Sequence, residues 1–223
     1  MQNVLNENIP YEIAIDESGR GPLFGRLYTA AVVLPKADFT FDKMIDSKKI
    51  KSKKRMAELA SYIKANAVAY SIQFVESDVI DKINILQANM QCMHECIKEI
   101  INMLHTKYPQ DNPIHQMNII VDGNYFKPFS AFDNSSNELY VIPHTTIEQG
   151  DNKYHNIAAA SILAKHARDS YIEHLCNEHP YLKEHYSLHT NMGYGTKAHM
   201  GGIKTYGITK WHRQSFSPCK ISL

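Results

Sequence analysis

Apolar and polar residues alternate with a period of two along Val68, Tyr70, Ile72 and Phe74, with Ala69, Ser71 and Gln73 between them, which predicts a strand. Tyr11 to Asp16 and Tyr28 to Leu34 are also expected to be strands, the second because Thr29-Ala30-Ala31-Val32-Val33-Leu34 favours extended backbone. Met117-Asn118-Ile119-Ile120-Val121-Asp122 is a further strand, ending like the first in an aspartate. Leu139 to Ile142, broken by Pro143 and resuming at Thr145, is read as a fifth. The period changes to that of a helix at Met56, Leu59, Ala60 and Ile63, with Ser52 as N-cap. It changes again at Leu86, Met90, Met93, Ile97, Ile101 and Leu104, where Asn84 opens what is expected to be the longest helix and Gln87 can close a capping box. Ile157 to Glu173 is a third helix, whose Ala158, Ala159, Ala160 and Ser161 allow close packing on a sheet. Tyr108 to Gln116 reads as a loop, as does His179 to Lys197, which leads into a final short helix. Strands and helices in this order predict an α/β fold.

With 223 residues and a formal net charge of +1, the chain has the size of one domain and is not a polycation, so any nucleic-acid contact must come from local clusters. Lys51, Lys53, Lys54 and Arg55 form one such cluster at a helix start, where they oppose the helix dipole and favour an anionic partner. Cys92, Cys96, Cys176 and Cys219 form no C-x-x-C pair and are expected to be buried thiols, and none of the twelve histidines is read as a zinc ligand. Met1 to Pro10 is polar, and no apolar run is long enough to span a bilayer, so an intracellular, cytoplasmic location without a membrane is expected.

The chemistry concentrates in four carboxylates. Asp16 and Glu17 end the first strand, Asp122 ends another, and Asp151 precedes a helix. Strand ends are where an α/β sheet gathers residues distant in sequence. Four acids brought together repel one another unless cations neutralise them, and an all-oxygen donor set suits magnesium or manganese. Two such ions would stabilise both the attacking and the leaving oxygen of a phosphodiester displacement. Spacing alone favours the reading of four unrelated surface acids.

The residues around the acids separate the two readings. Asp16-Glu17-Ser18-Gly19-Arg20-Gly21-Pro22, Asp46-Ser47-Lys48-Lys49, Asp122-Gly123-Asn124, Gly150-Asp151, the run Ala158 to Lys165, Gly193-Tyr194-Gly195-Thr196-Lys197 and His212 to Phe216 resemble, in order, the type 2 ribonuclease H family, ribonuclease HII. The resemblance covers about residues 12–218. It implies a ribonuclease H-like mixed sheet flanked by helices in one domain, with a core of about residues 11–175 and a C-terminal helical segment of about 176–223. It implies an endonuclease, expected to be monomeric, acting on RNA–DNA hybrids and on duplex DNA containing ribonucleotides. Asp16, Glu17, Asp122 and Asp151 would be the catalytic metal ligands for two ions, Mg2+ or Mn2+.

In the same family reading, Gly19, Arg20 and Gly21 would contact the backbone and the 2′-hydroxyl of the ribonucleotide. Tyr194 would hydrogen-bond that hydroxyl and stack on the next sugar, and Ser47, Lys48 and Lys49 would hold flanking phosphates. Asn124, Ser161, Lys165, Thr196 and Lys197 complete the implied nucleic-acid contacts. The chain departs from the family at Ser18, where alanine or valine is usual, and at Asn191-Met192, where a histidine and a lysine are common. Two other functions fit the acids. A junction resolvase-like nuclease of related fold would not need the Gly19-Arg20-Gly21 and Tyr194 combination, and a non-catalytic hybrid-binding module would not need all four acids.

Overall fold

A computed structural model describes residues 1–36, 39, 50, 52–109 and 113–220. Ser47, Lys48 and Lys49 lie outside the described residues. Five strands form a mixed sheet: β1 (Tyr11–Ser18), β2 (Leu27–Val33), β3 (Ala69–Val75), β4 (Met117–Asp122) and β7 (His144–Ile147), in the order β3-β2-β1-β4-β7. The pairs β1–β2 and β2–β3 are antiparallel, whereas β1–β4 and β4–β7 are parallel. Two further strands, β5 (Ser130–Asp133) and β6 (Glu138–Val141), make a separate hairpin.

Helices cover both faces of the sheet. The pleat sends Ile13, Ile15, Ala31 and Val33 to one side, where they pack on Met93, Ile97, Ile100 and Leu104 of α3 (Ile85–Lys107). Ala14, Ala30, Val32 and Ile120 go to the other side, against α1 (Lys53–Asn66) and α4 (His155–Glu178). The Ser52 and Asn84 caps form as expected: Ser52 Oγ accepts from Arg55 N–H, and Asn84 Oδ1 accepts from Leu86 and Gln87 N–H. Among the described residues no helix is long and apolar enough to cross a membrane, and all four cysteines are buried and free.

Four readings of the sequence are corrected. The stretch from Leu139 to Thr145 is two strands in different sheets, because Pro143 has no N–H to continue one ladder: β6 pairs with β5, and β7 joins β4. The apolar phase of β3 is not the most buried one. Its Ala69, Ser71 and Val75 are buried, whereas Phe74 is exposed at the edge of the sheet. With 24 residues, α4 is longer than α3, which has 23, and it runs through residue 175 to Glu178. The span His179 to Lys197, read as a loop, contains α5 (Tyr181–Tyr186) and α6 (Leu188–Asn191). Leu182, Tyr186 and Leu188 there pack on Phe24 and Ile172, too few anchors to show a period. An additional short helix, α2 (Ser77–Ile83), was not foreseen.

The last helix, α7 (Lys197–Tyr206), contains two adjacent glycines with opposite surroundings. A Cβ on Gly202 would lie 2.1 Å from the carbonyl oxygen of His185, whereas one on Gly201 would meet nothing within 4 Å. Gly201→Ala is therefore expected to stabilise the fold by about 0.5–1 kcal/mol, the helix preference for alanine. Gly202→Ala should destabilise it by about 1–3 kcal/mol through overpacking against backbone that cannot yield. Urea midpoints of the two variants check this, and shifts in the same direction would contradict the packing described.

Candidate active site

The parallel register of β1 and β4 sets Ala14 beside Ile120 and Ile15 beside Val121, which brings Asp16 next to Asp122 one residue later. The pleat then separates the two adjacent acids of β1. Asp16 continues the face of Ala14 and is hydrogen-bonded to Ser161 on α4, while Glu17 turns to the α3 side and is hydrogen-bonded to Asn89. A cleft of about 500 Å³ opens over these strand ends, lined by Asp16, Glu17 and Asp122, by Ser18, Gly19, Arg20 and Gly21 of the following turn, and by Ser161, Lys165 and Tyr194.

Burial raises the Asp16 carboxyl well above its usual range, and repulsion from Glu17 and then Asp122 adds to the effect. Glu17 is also raised by burial, offset in part by the Arg20 guanidinium, which lies 3.3 Å from its Oε1. A site that disfavours its own negative charge in this way is relieved by a cation. Asp151 stands apart from the cleft lining. It is buried in the turn Gly150–Asn152, and the preceding Gly150 N–H donates to Asp122 Oδ1 at 2.6 Å. Among the described residues no three histidine, cysteine or acidic side chains are arranged to hold a metal ion as they stand. In donor chemistry and charge Asp16, Glu17 and Asp122 suit a hard divalent ion, and Asp151 is the residue after the N–H that holds Asp122.

Tyr194 is half-exposed, and its Cε1 would lie 3.7 Å from a Cβ on Gly21, so the ring stands over the turn and not in the core. Lys165 reaches Asp169 at 2.7 Å and lines a second cleft with Lys53, Lys54 and His166, continuing the acidic cleft toward the basic start of α1. Asn124 is exposed in the loop after Asp122, outside the cleft lining. Thr196 and Lys197 are also exposed and outside it, where Thr196 caps α7 by accepting from His199 N–H. Met192 is half-buried against the cluster containing Phe24.

Sequence reasoning missed the groups beneath this surface. Asn89 is buried within the otherwise apolar stripe of α3, and a polar residue in such a stripe was the available signal. Arg168 and Arg213 are also fully buried. Arg168 lies under Gly19, whose φ of +103° and missing Cβ, which would sit 2.4 Å from Arg168 Nε, make glycine necessary. Arg168 also donates to the Phe24 carbonyl. Arg213 donates to the carbonyls of Arg20, Pro22 and Gly25, and burial followed by the nearby Arg168 charge pushes its guanidinium down to about 9. The histidine pair His185 and His189, one helical turn apart in sequence, is not a metal site: αL Ser187 divides them between α5 and α6, and His185 stacks on Tyr206.

His212 and His199 are buried side by side, their Nε2 atoms 3.1 Å apart. Burial, and then the neighbouring His199, lowers His212 from 6.5 to about 3, and burial lowers His199 as well. The rings of Phe24 and Tyr186 face both histidines, and the buried Arg213 guanidinium follows His212 in the chain. Between pH 6.5 and 3 the unfolded chain binds a proton at His212 that the folded chain does not, so stability falls as pH falls through that window. The slope from this residue approaches about 1.4 kcal/mol per pH unit. Chemical denaturation between pH 6.5 and 5 should show stability falling more steeply in the native protein than in His212→Gln, the difference between them approaching this slope.

Comparison with known proteins gives a consistent picture. A family model for Ribonuclease HII matches residues 13–219. The chain is 40% identical over 206 residues to Ribonuclease HII of Parabacteroides distasonis, covering 92% of this chain and 89% of that one. It is 41% identical to Ribonuclease HII of Christiangramia forsetii over 216 residues, 97% of this chain and 94% of the relative. In fold it is similar to ribonuclease H2 from Pyrococcus horikoshii, with TM-score 0.63, 22% identity and coverage of 94% and 95%. It is also similar to Bst-RNase HIII in complex with Mn2+, with TM-score 0.64, 16% identity and coverage of 96% and 69%.

Proposed function

Because the chain belongs to the ribonuclease HII family, enzymes that cleave the RNA of RNA–DNA hybrids, we propose that it also cuts duplex DNA at embedded ribonucleotides, with Asp16, Glu17, Asp122 and Asp151 holding two divalent ions. The observation that supports this best is the shared cleft, in which paired strand ends present Asp16, Glu17 and Asp122 opposite the Gly19–Gly21 turn and Tyr194. Divalent-metal dependence is general for ribonucleases H, and one structural neighbour is a Mn2+ complex. Bound magnesium or manganese would stabilise charge on the attacking and leaving oxygens.

The chain's own residues account for the rest. Gly19 and Gly21 let a nucleic-acid backbone approach the turn, and the half-exposed Arg20 offers a guanidinium for a phosphate. Lys165 and Lys53, paired here with Asp169 and Glu173, and Lys54 line the cleft that takes the flanking duplex in this reading. The Tyr194 hydroxyl reads the 2′-hydroxyl, the one group that distinguishes RNA from DNA at a single position. Ser161 holds Asp16 in place through its hydrogen bond. Asn124, Thr196 and Lys197 meet the duplex outside the cleft, and Ser47, Lys48 and Lys49 hold phosphates in this reading. In this reading one chain supplies all of these groups, and the protein works as a monomer.

The test is cleavage of a duplex with one ribonucleotide, beside a long hybrid and an all-DNA duplex, with Mg2+, Mn2+ or chelator. Cutting at the ribonucleotide only when a divalent ion is present, with the all-DNA duplex intact, is the expected result. Cleavage of the hybrid without cleavage at the single ribonucleotide would remove the finer reading and leave the family activity.

A further inference from the structure

Each nitrogen of the buried His199–His212 pair has a single role available. Thr209 N–H donates to His212 Nδ1 at 2.9 Å, so that atom carries no proton and the His212 hydrogen is on Nε2. Its neighbour at 3.1 Å is His199 Nε2, which must therefore accept. The His199 hydrogen is then on Nδ1, which faces the Tyr194 carbonyl at 2.9 Å. The chain of donors thus runs in one direction, from Thr209 through both imidazoles to the backbone of Tyr194. An added proton would set two donors against each other.

This relay ends at the Tyr194 carbonyl, which also accepts from Thr196 N–H at 2.8 Å, while Tyr194 N–H donates to the Asn191 carbonyl at 2.9 Å. Tyr194 lies between Gly193, with φ of +82°, and Gly195, and its side chain is half-exposed. His212 is followed by Arg213, which grips the carbonyls of Arg20 and Pro22 in the turn over which the Tyr194 ring stands. One dipeptide thus reaches both substrate-facing loops, through a guanidinium on one side and an imidazole relay on the other. The Phe24 ring lies edge-on to His212, with centroids 5.0 Å apart.

We propose that His199 and His212 are positioning residues for ribose recognition: a neutral, singly oriented imidazole relay that sets the Tyr194 backbone, and hence its ring, at a fixed distance from Gly21. The recognition step rests on the function proposed above, but the relay itself does not.

Two measurements test it. Long-range nitrogen–proton NMR on histidine-labelled protein should show His199 protonated at Nδ1 and His212 at Nε2 between pH 6 and 8, and any other pattern overturns the relay. In kinetics, His199→Phe keeps a ring but removes both hydrogen bonds, and should lower kcat/KM on a single-ribonucleotide duplex about threefold to tenfold, the equivalent of one hydrogen bond. Affinity for all-DNA duplex should stay within about twofold, because phosphate contacts supply it. His199→Asn, whose side-chain N–H overlays the Nδ1 position, should recover most of the loss, which a purely packing role would not allow. Unchanged kcat/KM in His199→Phe, or equal losses on both duplexes, overturns the positioning role. If His199→Phe does not fold, the tautomers of the native protein and the activity of His199→Asn decide. If the native protein cuts no ribonucleotide duplex, the functional reading fails alone. The relay is then judged by the Tyr194 resonances, which should shift in His199→Phe and return in His199→Asn; no shift overturns it.

Discussion

Asp122→Asn is expected to leave the protein folded and to reduce divalent-ion-dependent cleavage by about 10²–10³-fold, the scale of the several kcal/mol that a metal clamp contributes to the transition state. Asp122 ends β4 beside Asp16, and its Oδ1 accepts the Gly150 N–H at 2.6 Å. An asparagine keeps an oxygen for that hydrogen bond and removes the charge that a dication needs. It also removes one source of repulsion on Asp16 and Glu17, so the metal-free variant should be at least as stable as the native protein. Steady-state cleavage and thermal unfolding with and without Mg2+ check both halves. Near-native activity in a folded Asp122→Asn protein would exclude Asp122 from the metal site.

The second large effect is expected at Tyr194. Tyr194→Phe should lose one hydrogen bond to the ribose, about 0.5–1.5 kcal/mol in kcat/KM. Tyr194→Ala should lose base or sugar stacking in addition, about 1–3 kcal/mol more. The ring lies over Gly21 and half in solvent, so its truncation leaves no core cavity, and global stability should change little. Cleavage of a single-ribonucleotide duplex and binding of its all-DNA counterpart separate the two possible roles. Equal losses on both substrates would mean that Tyr194 grips the backbone without sensing the ribose.

Individual elements show how far the fold was legible. The caps at Ser52 and Asn84 were readable because capping is a contact between neighbours in the chain. The division of Leu139 to Thr145 between two sheets was not, because choosing a partner strand is a non-local decision that Pro143 permits without specifying. α5 and α6 were invisible because six and four residues are too short to display a helical period, and their apolar residues are defined by what they touch.

The candidate site divides along the same line. Residue type and local order alone determined the acids at strand ends, the glycines flanking Arg20 and Tyr194, and through them the family, since these depend on chemistry carried within a few residues. Only the tertiary structure decided which groups meet. The β1–β4 register sets Asp16 beside Asp122, the pleat turns Glu17 toward Asn89, and Gly19 is opened to Arg168. Asp151, though readable as an acid before a helix, lies beyond the cleft lining in a buried turn. The dipeptide His212-Arg213 reads locally as basic, yet both side chains are buried, the histidine neutral and the arginine bound to three carbonyls. The physical reason is range: side-chain chemistry and capping act within a turn of chain, whereas burial, charge repulsion and hydrogen-bond partnership across nearly 190 residues exist only once the sheet has brought distant segments together.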